Sequence, residues 1–120
     1  MNEIANGGLL PTISTEDLKH ELCKRLSIQT EAGAIAFEYA CDNIILLDRK
    51  HRDYGPLNIA SHGAYGVVVR MSDKQARLNN LYRGGKRRKA VNESIRDTFR
   101  DIGNYSIIAQ MCEDGKWPLI

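Results

Sequence analysis

The sequence predicts an all-α protein: a single domain of four helices packed like a bundle, behind a flexible N-terminal arm. Apolar residues recur at helical spacing along four segments, glycines and prolines separate those segments, and no segment alternates as a strand does. The length of 120 residues and the 42% of hydrophobic residues are those of one globular domain with its own core. We therefore expect an arm over residues 1–13 and a helical domain over residues 14–120.

The first half of the chain predicts two helices. Ser14 and Thr15 are good N-cap residues in front of two carboxylates, so a first helix is expected from there to about Ser27. A second is expected from after Thr30 to about Arg52. It is apolar on nearly every side between residues 34 and 47, which is typical of a helix buried in the middle of a bundle or at an interface.

The second half predicts two more helices after a loop. Gly55 and Pro56 end the second helix, and the following loop of about ten residues is long enough to be a binding loop. The third helix is predicted over residues 65–82 and the fourth over residues 92–114, with Asn92 as its N-cap. Trp117 is expected to pack onto the bundle. The apolar face predicted for the fourth helix consists of Ile95, Phe99, Ile102, Ser106 and Ala109.

Composition excludes several classes of protein. The three cysteines form no CxxC pair, which argues against a zinc knuckle or a disulfide framework and for a reducing compartment. There is neither a membrane-spanning apolar run nor a secretory signal, so we expect no membrane association and a cytoplasmic location. No P-loop, Rossmann fingerprint or catalytic triad is present either.

Charged residues at helical spacing predict a site for an anionic ligand. Carboxylates from facing helices suit Mg²⁺, and Arg70, Lys74 and Arg77 along the third helix suit phosphate oxygens. The same spacings also occur in ordinary ion pairs and in solvated helix faces, and that alternative stays open. The carboxylates concerned are Glu38, Asp42, Asp73, Glu93, Asp97 and Asp101.

A cluster of basic residues lies between positions 83 and 89. It is either a solvated turn or a contact for phosphate or nucleic acid. The formal net charge of the chain is only +2, and the rest of the sequence is not basic. We therefore do not expect nucleic acid to be the partner.

Three sequence blocks occur in a characteristic order. Residues 50–55 read K-H-R-D-Y-G, residues 69–81 carry V-R-x-x-D-K-x-x-R-L-x-x-L, and residues 93–105 carry E-S-I-x-D-T-x-x-D-x-x-N-Y. Together, over about residues 42–112, they resemble the nucleotide modification associated domain of phages and bacteria. That domain is similar in style to the all-α MazG-like nucleoside triphosphate pyrophosphatases.

The resemblance implies roles for individual residues. Glu93 and Asp97 would be catalytic and, with Asp73 and Asp101, would hold Mg²⁺. It also implies a nucleotide partner, a homo-oligomer and the cytoplasm of a phage-infected bacterium. The residues that would bind the nucleotide are Lys50, Asp53, Tyr54, Arg70, Lys74, Arg77, Asn104 and Tyr105.

Two functions follow from these residues and this resemblance. The first is Mg²⁺-dependent hydrolysis or processing of a (modified) nucleoside triphosphate in phage nucleotide metabolism. The alternative is a non-catalytic sponge, an anti-defence protein that sequesters a nucleotide second messenger of host immunity. The excess of phosphate-binding groups over a complete catalytic set motivates the alternative.

Overall fold

The protein is all-α throughout the residues that the structure, a computed structural model, describes, namely 12–84 and 89–118. These ranges contain five helices and no strand, as the sequence predicts. None of the helices is long and apolar enough to span a membrane. Residues 1–11, which include most of the predicted arm, and residues 85–88 of the basic cluster lie outside the described ranges. The helices are α1 (Thr15–Arg25), α2 (Glu31–Tyr54), α3 (Leu57–Ala60), α4 (Gly63–Arg83) and α5 (Lys89–Glu113).

The chain divides into two compact units, Met1–Cys41 and Asp42–Ile120, and α2 contributes residues to both. The described part of the first unit holds α1 and the first half of α2. The Ser14 hydroxyl accepts a hydrogen bond from the Asp17 N–H at 3.0 Å, as expected of an N-cap. Cys23 is buried in this unit, and Lys19 of α1 contacts Glu38 of α2 at 3.5 Å.

The second unit is built on the packing of α4 against α5. Val67 and Leu78 of α4 are buried, and Ile95 and Ile108 are their counterparts on α5. Asn43 approaches Gly103 so closely that a Cβ there would lie 2.9 Å from its Nδ2 atom. The C-terminal half of α5 is therefore in contact with α2 as well.

Three details of the predicted helices are wrong, and one of the two environments expected for the second helix is excluded. No side chain of α2 is buried, and Ile44 and Ile45 are 56% and 61% exposed among the described residues, so α2 does not lie in the middle of a bundle. Its position at an interface stays a prediction. The predicted loop after Pro56 contains a helical turn, α3, and α5 begins at Lys89, one turn before Asn92. The buried face of α5 is also rotated from the predicted one: Phe99 is 51% exposed, and the buried residues are Ile95, Thr98, Asn104 and Ile108.

Candidate functional site

A pocket of about 360 Å³ opens in the second unit, where the end of α2 meets α4, α5 and the C-terminal tail. The end of α2 is set by Gly55, whose φ of 76° suits glycine and whose N–H bonds to the His51 carbonyl at 2.9 Å. The turn of α3 follows at once. It brings Asn58 and Ile59 to the pocket wall.

One wall of the pocket is cationic. The Lys50 ammonium contacts Oδ1 of Asp101 at 2.9 Å, and the Lys74 ammonium contacts Oδ2 of the same carboxylate at 3.0 Å. Arg70 donates to the carbonyl oxygen of Asn58 at 2.7 Å, which ties α4 to α3. Three cationic side chains thus share the wall with one carboxylate, so the wall carries an excess of positive charge.

The Asp101 carboxylate stays ionised in this wall. Its side chain is only 15% exposed, and this burial by itself would raise its pKa. The hydrogen bonds from Lys50 and Lys74, together with their positive charges, outweigh that effect and hold the pKa of Asp101 below its ordinary value. Each carboxylate oxygen is already engaged by an ammonium group, so Asp101 orients the two lysines toward one point.

The pocket also contains aromatic rings and polar atoms that have no partner among the described residues. Tyr54, Tyr105 and Trp117 line it. The Trp117 indole N–H donates to the Pro56 carbonyl at 2.9 Å, and the ring meets His51 edge-on with centroids 5.0 Å apart. The Nδ1 atom of His51 and the Oδ1 atom of Asn104 are buried without a hydrogen-bond partner within residues 12–84 and 89–118.

The structure brings most of the residues predicted to bind the nucleotide into this pocket. Of that set, Lys50, Tyr54, Arg70, Lys74, Asn104 and Tyr105 line it. Asp101, predicted as a metal ligand, lines it too. Three α-helices separated by up to fifty residues in sequence therefore present their family-like blocks to one cavity.

The other predicted site residues are not among those lining the pocket. These residues are Asp53, Asp73, Arg77, Glu93 and Asp97. Arg77 donates to the Ser94 hydroxyl at 2.6 Å, and Asp97 pairs with Arg100 at 3.1 Å on the exposed face of α5. Asp53 and Asp73 are exposed. The roles predicted for these residues stay predictions.

The predicted Mg²⁺ ligands do not form a donor set that fits the ion. Within residues 12–84 and 89–118, no group of three or more histidines, cysteines and carboxylates could hold a metal. Asp101 faces two ammonium groups, whereas a bound divalent cation needs oxygens free to coordinate it. The Mg²⁺ site stays a prediction.

Sequence reasoning missed part of the pocket wall. His51 and Asn58 lie within or next to the K-x-x-D-Y-G block, and their proximity to it is the signal that could have found them. Trp117 was expected only to pack onto the bundle. Leu47, Ile59 and Ile108 had no signal, since apolar side chains that line a cavity follow the same periodicity as those of a core.

Comparison with known proteins supports the resemblance read from the three blocks. The model of the family described as nucleotide modification associated domain 1 matches residues 50–112. The chain belongs to this family. The match begins at Lys50, the first cation of the pocket, and ends close to the end of α5, so Trp117 lies outside it. No curated protein and no solved structure matches the chain, and the likeness to MazG-like pyrophosphatases stays a prediction.

Proposed function

We propose that this member of the nucleotide modification associated domain family binds a nucleotide through the phosphate group. The observation that carries the proposal is the convergence of Lys50, Arg70 and Lys74 on one pocket that holds a single carboxylate. Ammonium and guanidinium groups are the side chains that bind phosphate oxygens most strongly. The volume of about 360 Å³ lies at the small end of ligand-binding pockets, which favours a mononucleotide over a larger ligand.

The cationic and the aromatic side chains of the pocket contact different parts of the nucleotide. Lys50 and Lys74, oriented by Asp101, meet a phosphate from one side, and Arg70 adds a planar fork of donors. The rings of Tyr54 and Tyr105 offer apolar faces to a sugar or base. A phosphate takes up the excess positive charge of the wall, because the single carboxylate compensates only part of it.

Binding without cleavage is the form of this function that the pocket supports best. The Asp101 carboxylate is held by two lysines and is not available as a general base or a metal ligand. This supports the sponge alternative, in which the protein sequesters a nucleotide second messenger in a phage-infected bacterium. Mg²⁺-dependent hydrolysis of a nucleoside triphosphate is the second candidate, and it depends on Glu93 and Asp97 acting from outside the pocket.

Oligomerisation is part of the same proposal. The exposed isoleucines of α2 form an apolar surface. In a homo-oligomer, a second copy of the chain would cover this surface and remove it from water. The molar mass in solution, measured by light scattering, tests this. A monomer at micromolar concentration would contradict it.

A nucleotide panel tests the binding proposal. Calorimetric titration of the protein with nucleoside mono-, di- and triphosphates, with and without Mg²⁺, should find at least one ligand. Lys74→Ala removes a charge-assisted contact and should weaken binding about 10- to 100-fold, which corresponds to about 1.5–3 kcal/mol. Lys24→Ala, which removes an exposed lysine of α1, is the matched control and should bind as the wild type does.

The state of the recovered ligand separates the two candidates. After denaturation of the complex, mass spectrometry should return the nucleotide intact if the protein only sequesters it. Released pyrophosphate or an altered nucleotide would establish processing instead. Failure of every phosphorylated compound to bind, or equal affinity in Lys74→Ala and wild type, would contradict the binding proposal.

A further inference from the structure

Asn104 is the most buried polar side chain lining the pocket. It lies on α5 with 5% of its surface exposed, and its Oδ1 atom has no hydrogen-bond partner among the residues that the structure describes. A buried carbonyl oxygen without a partner loses its hydration and gains nothing in return. Thr98, the other buried polar side chain of α5, has a partner instead: its hydroxyl donates to the Ser94 carbonyl at 2.7 Å. The contrast indicates that Asn104 is kept for a contact that the protein itself does not supply.

The position of Asn104 relates it to the cationic wall. Asp101 lies three residues earlier on the same helix, so the two side chains are neighbours on one face, about one helical turn apart. Tyr105 follows directly, and Tyr54 and Trp117 line the same cavity. Asn104 therefore shares the cavity with the aromatic rings and lies about one helical turn from the carboxylate that holds the two lysines.

The chemistry of the carboxamide indicates which part of a nucleotide it meets. A carboxamide has a donor and an acceptor side by side, and its terminal torsion rotates broadly, so either group can be presented to the cavity. The edge of a nucleobase also carries a donor beside an acceptor, and paired contacts between Asn and a base edge discriminate between bases. A phosphate offers only acceptors, so the carboxamide adds little where three cations are already present.

We propose that Asn104 hydrogen-bonds the edge of the nucleobase and thereby determines which base the pocket accepts. This inference rests on the proposed nucleotide binding and adds the residue that confers base specificity. His51 lies in the same pocket with its Nδ1 atom also unpartnered, so the ligand has a second polar atom to satisfy beside the first. Phosphate affinity belongs to the cationic wall and base preference to Asn104.

Separate titrations of base and phosphate test this division. The probes are the four ribonucleoside 5′-monophosphates, their 2′-deoxy forms and inorganic pyrophosphate, titrated calorimetrically into the full chain. The wild type should prefer one base over the others by about fivefold to 150-fold, the range of one paired base contact. Asn104→Leu replaces the carboxamide with an apolar group of similar size, a change that is expected to preserve the fold. In this variant the four affinities should agree within about threefold, while pyrophosphate binds as it does to the wild type.

Two further variants guard the interpretation. Asn80→Leu makes the same substitution on an exposed position of α4 and should keep the base preference. Asn104→Asp keeps the shape of the side chain but has only acceptors, so it should change the order of affinities for the four bases. Its negative charge by itself should lower all four affinities alike and leave their order unaffected. This variant decides the question if Asn104→Leu does not fold.

Several results would overturn the inference. If the wild type binds pyrophosphate and all four nucleotides equally, Asn104 does not confer base specificity, while the proposed nucleotide binding still holds. An unchanged preference in both Asn104 variants would do the same. A loss of affinity for all 2′-deoxy forms in the wild type, absent in Asn104→Leu, would assign Asn104 to the ribose hydroxyl. Absence of any binding to the wild type would instead refute the proposed function itself.

Discussion

The substitution Asp101→Asn tests the charge arrangement of the pocket most directly. In the wild type one carboxylate meets two ammonium groups at 2.9 and 3.0 Å. The neutral carboxamide keeps the shape but removes the charge that holds Lys50 and Lys74, and it leaves three cations on one wall. We therefore expect the variant to fold with a lower stability than the wild type at neutral pH.

The magnitude follows from how exposed each partner is. The Lys50 side chain is 46% exposed, so its contact is screened by solvent and is worth no more than a surface ion pair, about 0.2–1 kcal/mol. Lys74 is 29% exposed and Asp101 15%, so their contact approaches the lower end for a hydrogen bond to a charged group, about 1.5 kcal/mol. The carboxamide still accepts one hydrogen bond. The total loss is then about 1–2 kcal/mol, which lowers Tm by about 4–8 °C in a domain of this size.

The pH dependence has a definite sign. Because the folded protein holds the pKa of Asp101 below its ordinary value of 3.8, the carboxylate stabilises the fold above that value. The stabilisation is lost as the pH falls through the lowered pKa of the folded state. The difference in Tm between wild type and Asp101→Asn should therefore be full at pH 7 and shrink below about pH 4.

Thermal unfolding followed by circular dichroism at 222 nm measures this difference. Asp97→Asn is the matched control, because Asp97 is 70% exposed and pairs with Arg100 on its own helix. Its expected loss is below about 0.5 kcal/mol. Equal Tm values for Asp101→Asn and wild type at pH 7, or a difference that persists unchanged at pH 3, would show that Asp101 does not stabilise the fold through its charge.

Three further predictions concern other parts of the chain. Leu78→Ala should lower the free energy of unfolding in urea by about 2–5 kcal/mol, because Leu78 is buried in the second unit. The control Leu57→Ala, at an exposed position, should change the free energy of unfolding by less than about 0.5 kcal/mol. A similar loss in both variants would contradict the core described above. Ser14→Ala should destabilise α1 by about 1 kcal/mol and speed the hydrogen exchange of its backbone amides, whereas Ser14→Asp should preserve the N-cap. An unchanged exchange rate in Ser14→Ala would argue against this cap. Trp117→Phe removes the donor to the Pro56 carbonyl and should cost about 1 kcal/mol in thermal unfolding, and an unchanged Tm would show that this bond does not stabilise the tail.

Local signals predicted the helices well and their environments poorly. Ser14 caps α1 as its chemistry requires, and Gly55 ends α2 with a positive φ. The apolar run of α2, in contrast, predicts a helix in the middle of a bundle or at an interface, and the structure excludes the first of these because Ile44 and Ile45 are exposed among the described residues. The periodicity of apolar residues indicates that one surface of a helix is apolar, but it does not indicate which part of the protein, or which partner, covers that surface.

The site shows the same division. Phe99 fits an apolar helical stripe yet lies outside the core, whereas Asn104 is not part of the predicted apolar face and is buried. The reason is that α5 packs against α4 and also contacts α2, through Gly103 beside Asn43 and through Asp101 beside Lys50, so no single stripe along the helix is the buried one. A fixed helical periodicity predicts one buried stripe along the whole helix, so it does not predict a buried surface that shifts from one part of the helix to the next.

Local sequence patterns were enough to predict that the protein is helical, where most helices begin and end, and which residues carry the family blocks. Those properties depend on neighbours within about one helical turn, through caps, breakers and periodicity. The patterns did not predict that Lys50, Lys74 and Asp101 meet in one pocket, or that Glu93 and Asp97 are not among its lining residues. Contacts between residues about fifty positions apart depend on how helices pack, which local patterns do not specify.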